Sequence, residues 1–232
     1  MICNVEGMIN IVKITGIILA AGNSTRFAKG SNKNFEKIDG KYLLEYSLEK
    51  FLENNLINDI IIAVKSEEIQ FLNSILVNYT NKPIKLIQGG STRQESVYNC
   101  LIKTNSDIVI IHDGARPLIK DEYIEKCIET MKDFDGATIA VKSKDTVKIS
   151  DDNGVVIQTT QRKNTWIVQT PQCFKKDILL ETHEKFNNNE TITDDCMLLE
   201  LNGNKVKLIE GEYTNIKVTT PEDINLVKEF LN

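Results

Sequence analysis

Along the chain, short apolar runs rich in β-branched residues alternate with longer segments whose apolar positions recur at helical spacing. The runs at 14–20 (ITGIILA), 59–65 (DIIIAVK), 84–88, 107–112 (DIVIIH) and 136–141 lack clean alternation of apolar and polar positions. That pattern predicts strands of a parallel sheet buried on both faces. Between them, 41–54 places Leu44, Leu48, Phe51 and Leu52 on one helical face, and 66–78 and 121–132 follow the same period. Ser66-Glu67-Glu68 reads as a capped, acidic helix start. A last helix is expected over 221–231, with Thr220 as N-cap, Pro221 at its first position, and Glu222 and Asp223 in its first turn. The alternation predicts an α/β fold, a doubly wound, mostly parallel Rossmann-like sheet flanked by helices.

One stretch breaks the rhythm. Residues 145–162 (DTVKISDDNGVVIQTTQR) hold two β-prone arms around Asp152-Asn153-Gly154, and Asn-Gly is a hairpin signal. The segment is too polar for the core, so a β-hairpin arm is expected to project from the sheet at about 142–165. An ordinary surface hairpin and a dimerisation arm fit this pattern equally.

Composition narrows the class. The 232 residues carry 28 Lys+Arg against 33 Asp+Glu, a net charge of −5, and 41% are hydrophobic, enough for a real core. The mildly acidic balance gives no support to a nucleic-acid binder. No run approaches the about 18 apolar residues of a membrane span. The N-terminal stretch has Glu6 and no charged segment ahead of an apolar one, unlike a signal peptide. A soluble, cytoplasmic protein is expected. Five cysteines with no CxxC pair predict reduced, mostly buried thiols rather than a disulfide framework. His112 and His183 are read as structural or surface residues, Trp166 as core, and 187–189 as a surface loop.

In open α/β sheets, ligands sit outside the carboxyl ends of the strands. Those ends carry Ala20-Ala21-Gly22-Asn23-Ser24-Thr25-Arg26, Gly89-Gly90-Ser91-Thr92-Arg93, His112-Asp113-Gly114-Ala115-Arg116-Pro117 and Lys144-Asp145-Thr146. Two glycine-bearing loops, three arginines and two aspartates on one rim would make an anion site, because bare backbone N–H groups and guanidinium forks suit phosphate oxygens. Neither G-x-x-x-x-G-K-[ST] nor G-x-G-x-x-G occurs, which sets aside P-loop NTPases and dinucleotide oxidoreductases. Ala20-Ala21-Gly22 instead lets backbone approach a ligand closely, with Arg26 and Lys33 in the same loop as phosphate clamps.

The motifs LAAGNSTRF, Lys33-Asn34-Phe35, GGSTRQESV, HDGARP, Asp145-Thr146-Val147-Lys148, QTPQCF, Ile192-Thr193-Asp194-Asp195 and NIKVTTPED occur in order from about Ile14 to Asn232. In this the chain resembles the 2-C-methyl-D-erythritol 4-phosphate cytidylyltransferase family. Residues 14–232 would form one nucleotidyltransferase domain, and 1–13 an N-terminal extension in which Met8 is an alternative start. The resemblance implies transfer of CMP from CTP to methylerythritol phosphate, with release of pyrophosphate, in the non-mevalonate isoprenoid route. It implies Mg²⁺ accompanying the CTP, with no protein ligands specified, and a homodimer formed through the β-arm. Carried over by motif, Ala20, Ala21, Gly22, Gly90, Ser91 and Ser96 would hold the cytidine and its phosphates. Arg26 and Lys33 would stabilise the transition state, and Arg162 and Lys217 would position the sugar phosphate. Asp113, Arg116, Thr146, Thr170 and Thr193 would line its pocket. Arg162 and Thr146, on the arm, would serve the other subunit's site.

Local readings stand beside these roles: Asp113 as a turn residue, Thr193 as the N-cap of a helix over 194–201, and Lys217 as a gatekeeper near the edge of a late strand. The chain departs from the family pattern at Asn32-Lys33-Asn34, where Pro-Lys-Gln is usual, and at Gln161, where Asp usually precedes the arm arginine. A less rigid loop around Lys33 is therefore expected. The alternatives are a ribitol-5-phosphate cytidylyltransferase, a non-catalytic nucleotide-binding regulator, and a nucleotidyltransferase using UTP or GTP. Gly114-Ala115 and the Thr-Pro-Glu-Asp ending favour the methylerythritol enzyme, and a mere binder has no need of clamps on both reactants.

Overall fold

The five β-branched runs pair side by side. In the computed structural model, which describes residues 4–5, 8–9, 12–24, 27, 32–186 and 191–231, they become β1 (Ile14–Leu19), β2 (Asp59–Val64), β3 (Ile84–Gln88), β4 (Ile108–Asp113) and β5 (Gly136–Lys142). Two strands that the pattern did not predict, β6 (Trp166–Lys175) and β7 (Val206–Glu210), complete a sheet of order β7-β5-β6-β4-β1-β2-β3. All neighbours are parallel except β6, which runs antiparallel to both β5 and β4. Pro171 hides β6 in the sequence; it lies where the pairing with β5 shifts register, between Val168 and Gln172, so no regular ladder is broken.

Alternate residues of one strand feed opposite cores, which is why the runs read as continuously apolar. Ile18, Ile62 and Ile110 pack under α1 (Leu43–Glu53), α2 (Ile69–Leu76) and α4 (Asp121–Thr130). Ile17, Ile61, Val109 and Ile111 face α3 (Arg93–Leu101), α5 (Lys176–Lys185) and α6 (Asp195–Leu201). A smaller cluster around Val218 and Val227 seats α7 (Glu222–Leu231). Gly16 sets how closely α1 approaches β1, since a Cβ there would lie 2.6 Å from the Phe51 ring.

Several local expectations are corrected. Ser66 opens a 3-10 turn (Ser66–Glu68) ahead of α2, and its hydroxyl donates to Glu67 instead of capping. Asp194, not Thr193, caps α6, accepting from the Met197 N–H at 3.0 Å. Helix α7 begins one residue after Pro221, and Asp223 accepts the N–H groups of Thr219 and Thr220. Trp166 is half-buried, with the Lys142 ammonium 5.4 Å from its ring centroid, so it is no core residue. His112 and His183 are both buried, as are the free thiols of Cys100, Cys127, Cys173 and Cys196. Cys3 and the loop at 187–189 lie outside the described residues.

The hairpin forms where Asp152-Asn153-Gly154 predicts it. Lys148–Ser150 pairs with Val156–Thr159 as a two-stranded sheet separate from the main one, and Gly154 takes the left-handed conformation (φ +81°) that the turn needs. Both strands are exposed along their whole length, and their apolar side chains include Ile157 at 68% exposure. Among the described residues, no helix is long and apolar enough to cross a membrane.

Candidate active site

The strand order reverses beside β1, which has β2 on one side and β4 on the other. Leu19 pairs with Asp113, so the loops leaving β1 and β4 emerge next to each other at this switch point, where open α/β sheets bind ligands. Two clefts open there. The first, of about 480 Å³, is lined by Ala21, Gly22, Lys33, Gly90, Ser91 and Ser96, among others. The second, of about 640 Å³, is lined by Arg116, Thr170, Gln172, Thr193 and Asp194, among others. Arg93, Asp113 and Lys217 belong to both.

The first cleft is built from backbone. Gly89 passes so close to the β1 loop that a Cβ would sit 2.3 Å from the Cβ of Ala21. Beyond it the chain turns into α3, whose N-cap Thr92 accepts from the Glu95 N–H at 3.0 Å. The Ser96 hydroxyl accepts from the Gly90 N–H (3.0 Å) and donates to the Thr92 carbonyl (2.8 Å), so it holds the turn that faces the cleft. Ser91 is tied by its N–H and its hydroxyl to Glu95, 2.6 Å each. Lys33 stands on a single 3-10 turn (Lys33–Phe35) and donates from Nζ to the Val218 carbonyl at 2.6 Å, next door to Lys217. Ala20 is fully buried and lines neither cleft.

The wall between the clefts is electrostatic. Asp113 ends β4 and opens the turn that follows, its carbonyl accepting from the Arg116 N–H at 3.0 Å, yet its carboxylate is buried; Lys217 reaches it at 2.9 Å and Arg116 at 3.3 Å. Burial alone would raise its carboxyl, but Lys217, Arg116 and Arg93 together hold it well below the ordinary carboxylate range. Arg116 is fixed in turn by the Asn215 carbonyl (2.9 Å). Thr170 accepts from the Asp113 N–H (3.1 Å) and lies 2.9 Å from His112 Nδ1, while His112 Nε2 lies 3.0 Å from the Arg116 carbonyl. A carbonyl only accepts, so Nε2 carries the proton and Nδ1 accepts from the Thr170 hydroxyl. Burial pushes this imidazole down to about 4, which keeps it neutral at ordinary pH.

The expected rim is partly assembled. Lys33 and Lys217 line the first cleft together, and Arg116, Thr170 and Thr193 share the second. Lys217 lies on an irregular segment before α7 and not near a strand edge. Arg26 lies outside the described residues. Arg162 donates to Thr146 at 3.0 Å at the exposed base of the hairpin, and neither residue lines a cleft; Asp145 beside them is exposed too. Arg93, expected on the anion rim but given no part among the roles carried over by motif, lines both clefts and pairs through Nη1 with buried Asp195 at 2.6 Å; Asp195 also meets His183 Nε2 at 3.2 Å. The available signal was Thr92-Arg93-Gln94-Glu95, an S/T-x-x-E pattern that starts a helix at Arg93 and aims its side chain from the first turn.

A family model described as IspD, 2-C-methyl-D-erythritol 4-phosphate cytidylyltransferase, matches residues 14–232. A protein of that name from Caldanaerobacter subterraneus subsp. tengcongensis is 40% identical over 225 residues, 95% of this chain and 99% of its own length. Another, from Clostridium botulinum, is 42% identical over 221 residues, 94% of this chain and 98% of its own. The crystal structure of 4-diphosphocytidyl-2C-methyl-D-erythritol synthase from Anaerococcus prevotii superposes with a TM-score of 0.86 at 33% identity, covering 96% of this chain and 99% of that one. The bifunctional IspDF of Campylobacter jejuni gives 0.78 at 28% identity over 92% of this chain and 54% of that one. With the match running from the first residue of β1 to the end of the chain, this protein belongs to the 2-C-methyl-D-erythritol 4-phosphate cytidylyltransferase family.

Proposed function

We propose that the chain transfers CMP from CTP to 2-C-methyl-D-erythritol 4-phosphate, releasing pyrophosphate and forming 4-diphosphocytidyl-2-C-methyl-D-erythritol. The observation that carries this reading, beside the family match, is the pair of clefts that share Arg93, Asp113 and Lys217. The cleft built from backbone and Lys33 suits the nucleotide, and the one lined by Arg116, Thr170 and Thr193 suits the polyol phosphate. An oxygen of the acceptor phosphate attacks the α-phosphorus, one P–O bond forms, and the α–β P–O bond breaks with its electron pair leaving on pyrophosphate.

No general base is required. A phosphate monoester with a second pKa of about 6 is largely dianionic at neutral pH and attacks unaided. The difficulty is bringing two anions together, and preorganised cations meet it. Lys33 and Arg26 stabilise charge at the α-phosphate; Lys217 and Arg162 hold the acceptor, with Ala21, Gly22, Gly90, Ser91 and Ser96 shaping the nucleotide site. Ala20 contributes through its carbonyl, which anchors the Lys33 turn.

Among the described residues no three His, Cys, Asp or Glu side chains gather as a metal cage. Mg²⁺ seldom uses such cages and prefers phosphate oxygens, water and one or two carboxylates, so an ion arriving with CTP would be held chiefly by the triphosphate and would supply neutralising charge. The exposed apolar arm, and the absence of Arg162 and Thr146 from the lining of both clefts, support a homodimer in which each arm completes the partner's site. The deciding assay is pyrophosphate release from CTP, Mg²⁺ and methylerythritol phosphate, with ribitol 5-phosphate and UTP or GTP as alternatives. Release confined to CTP with methylerythritol phosphate is expected; binding of CTP with no product from either acceptor would end the proposal.

A further inference from the structure

Lys33 is useful only if its backbone is fixed, and a 3-10 turn of three residues does little to fix itself. Its neighbours Asn32 and Asn34 are both buried and turned inward. Their side-chain nitrogens converge on one acceptor, the Ala20 carbonyl just beyond β1, at 2.8 and 3.3 Å. Asn32 Nδ2 also meets both oxygens of the Glu68 carboxylate, at 3.1 and 3.0 Å. Its Oδ1 accepts from the Asn34 N–H (3.1 Å) and from Asn34 Nδ2 (2.9 Å). Every polar atom of the Asn32 side chain is thereby engaged, across three separate pieces of chain: the exit of β1, the Lys33 turn and the Ser66–Glu68 turn.

From this geometry we infer that Asn32 and Glu68 are positioning residues for transfer, setting where Lys33 stands relative to the nucleotide-facing backbone of Ala21 and Gly22. A buried side-chain amide with all its partners in place fixes distance and direction together. The Ala20 carbonyl is the reference point, because the next two residues line the cleft that Lys33 also lines. The clamp supplies the rigidity that a proline at position 32 would give by other means. Glu68, half-buried at the far end, keeps Asn32 from turning away.

This inference rests on the role proposed for Lys33, so the experiment carries that residue as a reference. Turnover, CTP KM and melting temperature are measured for wild type, Asn32→Ala, Lys33→Ala and the double variant, with Glu68→Ala and Glu68→Gln alongside. Asn32→Ala is expected to lower kcat about tenfold to a hundredfold, as small misplacements of a catalytic group do, with little change in CTP KM and a melting temperature lowered by a few degrees for the lost hydrogen bonds. In the Lys33→Ala background the same change is expected to cost nothing more, since no lysine is left to position. Glu68→Gln, which keeps an acceptor oxygen, should stay near wild type while Glu68→Ala falls. An equal loss in both backgrounds, or wild-type kcat in Asn32→Ala, overturns the inference. Should Asn32→Ala fail to fold, Glu68→Ala takes its place in the cycle. Full turnover in Lys33→Ala would instead sink the role given to Lys33, and no product from wild type the function itself.

Discussion

Arg93 and Asp113 do different work at the same wall. Asp113 is surrounded by positive charge and organises Lys217 and Arg116, whereas Arg93 has a buried carboxylate behind it and, among the described residues, guanidinium N–H groups left over. Because it lines both clefts, Arg93→Ala should lower kcat/KM for CTP and for the acceptor together, by on the order of a hundredfold, and Arg93→Lys should recover only part. A change confined to one substrate would place its side chain on one side only. The same wall sets the acid limit of the fold. His112 is neutral when folded, with its pKa down at about 4, so the unfolded chain binds its proton first; stability is full above the ordinary histidine range and falls by about 3 kcal/mol between roughly pH 6.5 and 4. Asp113 and Asp195 are likewise depressed by their cations against the opposing effect of burial, and they contribute stability that is lost only at lower pH, as each is protonated. Melting temperatures should thus begin to drop before carboxylates titrate; a flat profile from pH 7 to 4.5 would contradict this.

Elements were legible where one periodicity governs a segment. The five β-branched runs and the helices α1, α2, α4 and α7 follow from pattern, because their apolar residues face cores of the sheet. Strand β6 was hidden by Pro171 and by Gln169, Thr170 and Gln172, polar residues inside the sheet whose partners are other polar groups: Gln169 donates to the Glu212 carbonyl and Gln172 to Asp194. Helix α3 was missed although Thr92-Arg93-Gln94-Glu95 signals its start, because Gly89, Gly90 and Ser91 just before it read as loop and its own sequence is polar. Sites read the same way. Residues on loops leaving predicted strands could be placed in advance, while the Asp195 partner of Arg93, 102 residues away, could not. Packing of α1 on β1 offers a direct check. Gly16→Ala must push the Phe51 ring, and overpacking of this kind costs about 1–3 kcal/mol, readable as a shift in the urea midpoint with turnover per folded molecule retained.

For the whole molecule, the hairpin decides whether one chain is a complete enzyme. Val155, Val156 and Ile157 are more than half exposed, and Arg162 at the hairpin base lines neither cleft. If each arm completes a partner's site, a Lys33→Ala copy and an Arg162→Ala copy fail separately for different reasons. Mixing them should restore roughly a quarter of wild-type turnover through hybrid dimers with one intact site. No recovery after subunit exchange, confirmed by sedimentation, would mean that Arg162 serves no neighbouring copy. The two adjoining cavities with a common wall carry a consequence for inhibition. A single molecule with cytosine ribonucleoside at one end and a branched polyol at the other, joined by a short charged bridge, would lie across Arg93 and Lys217. Its second half would then dock at an effective concentration on the order of millimolar, so such a hybrid should outcompete either parent fragment by far more than their separate affinities suggest.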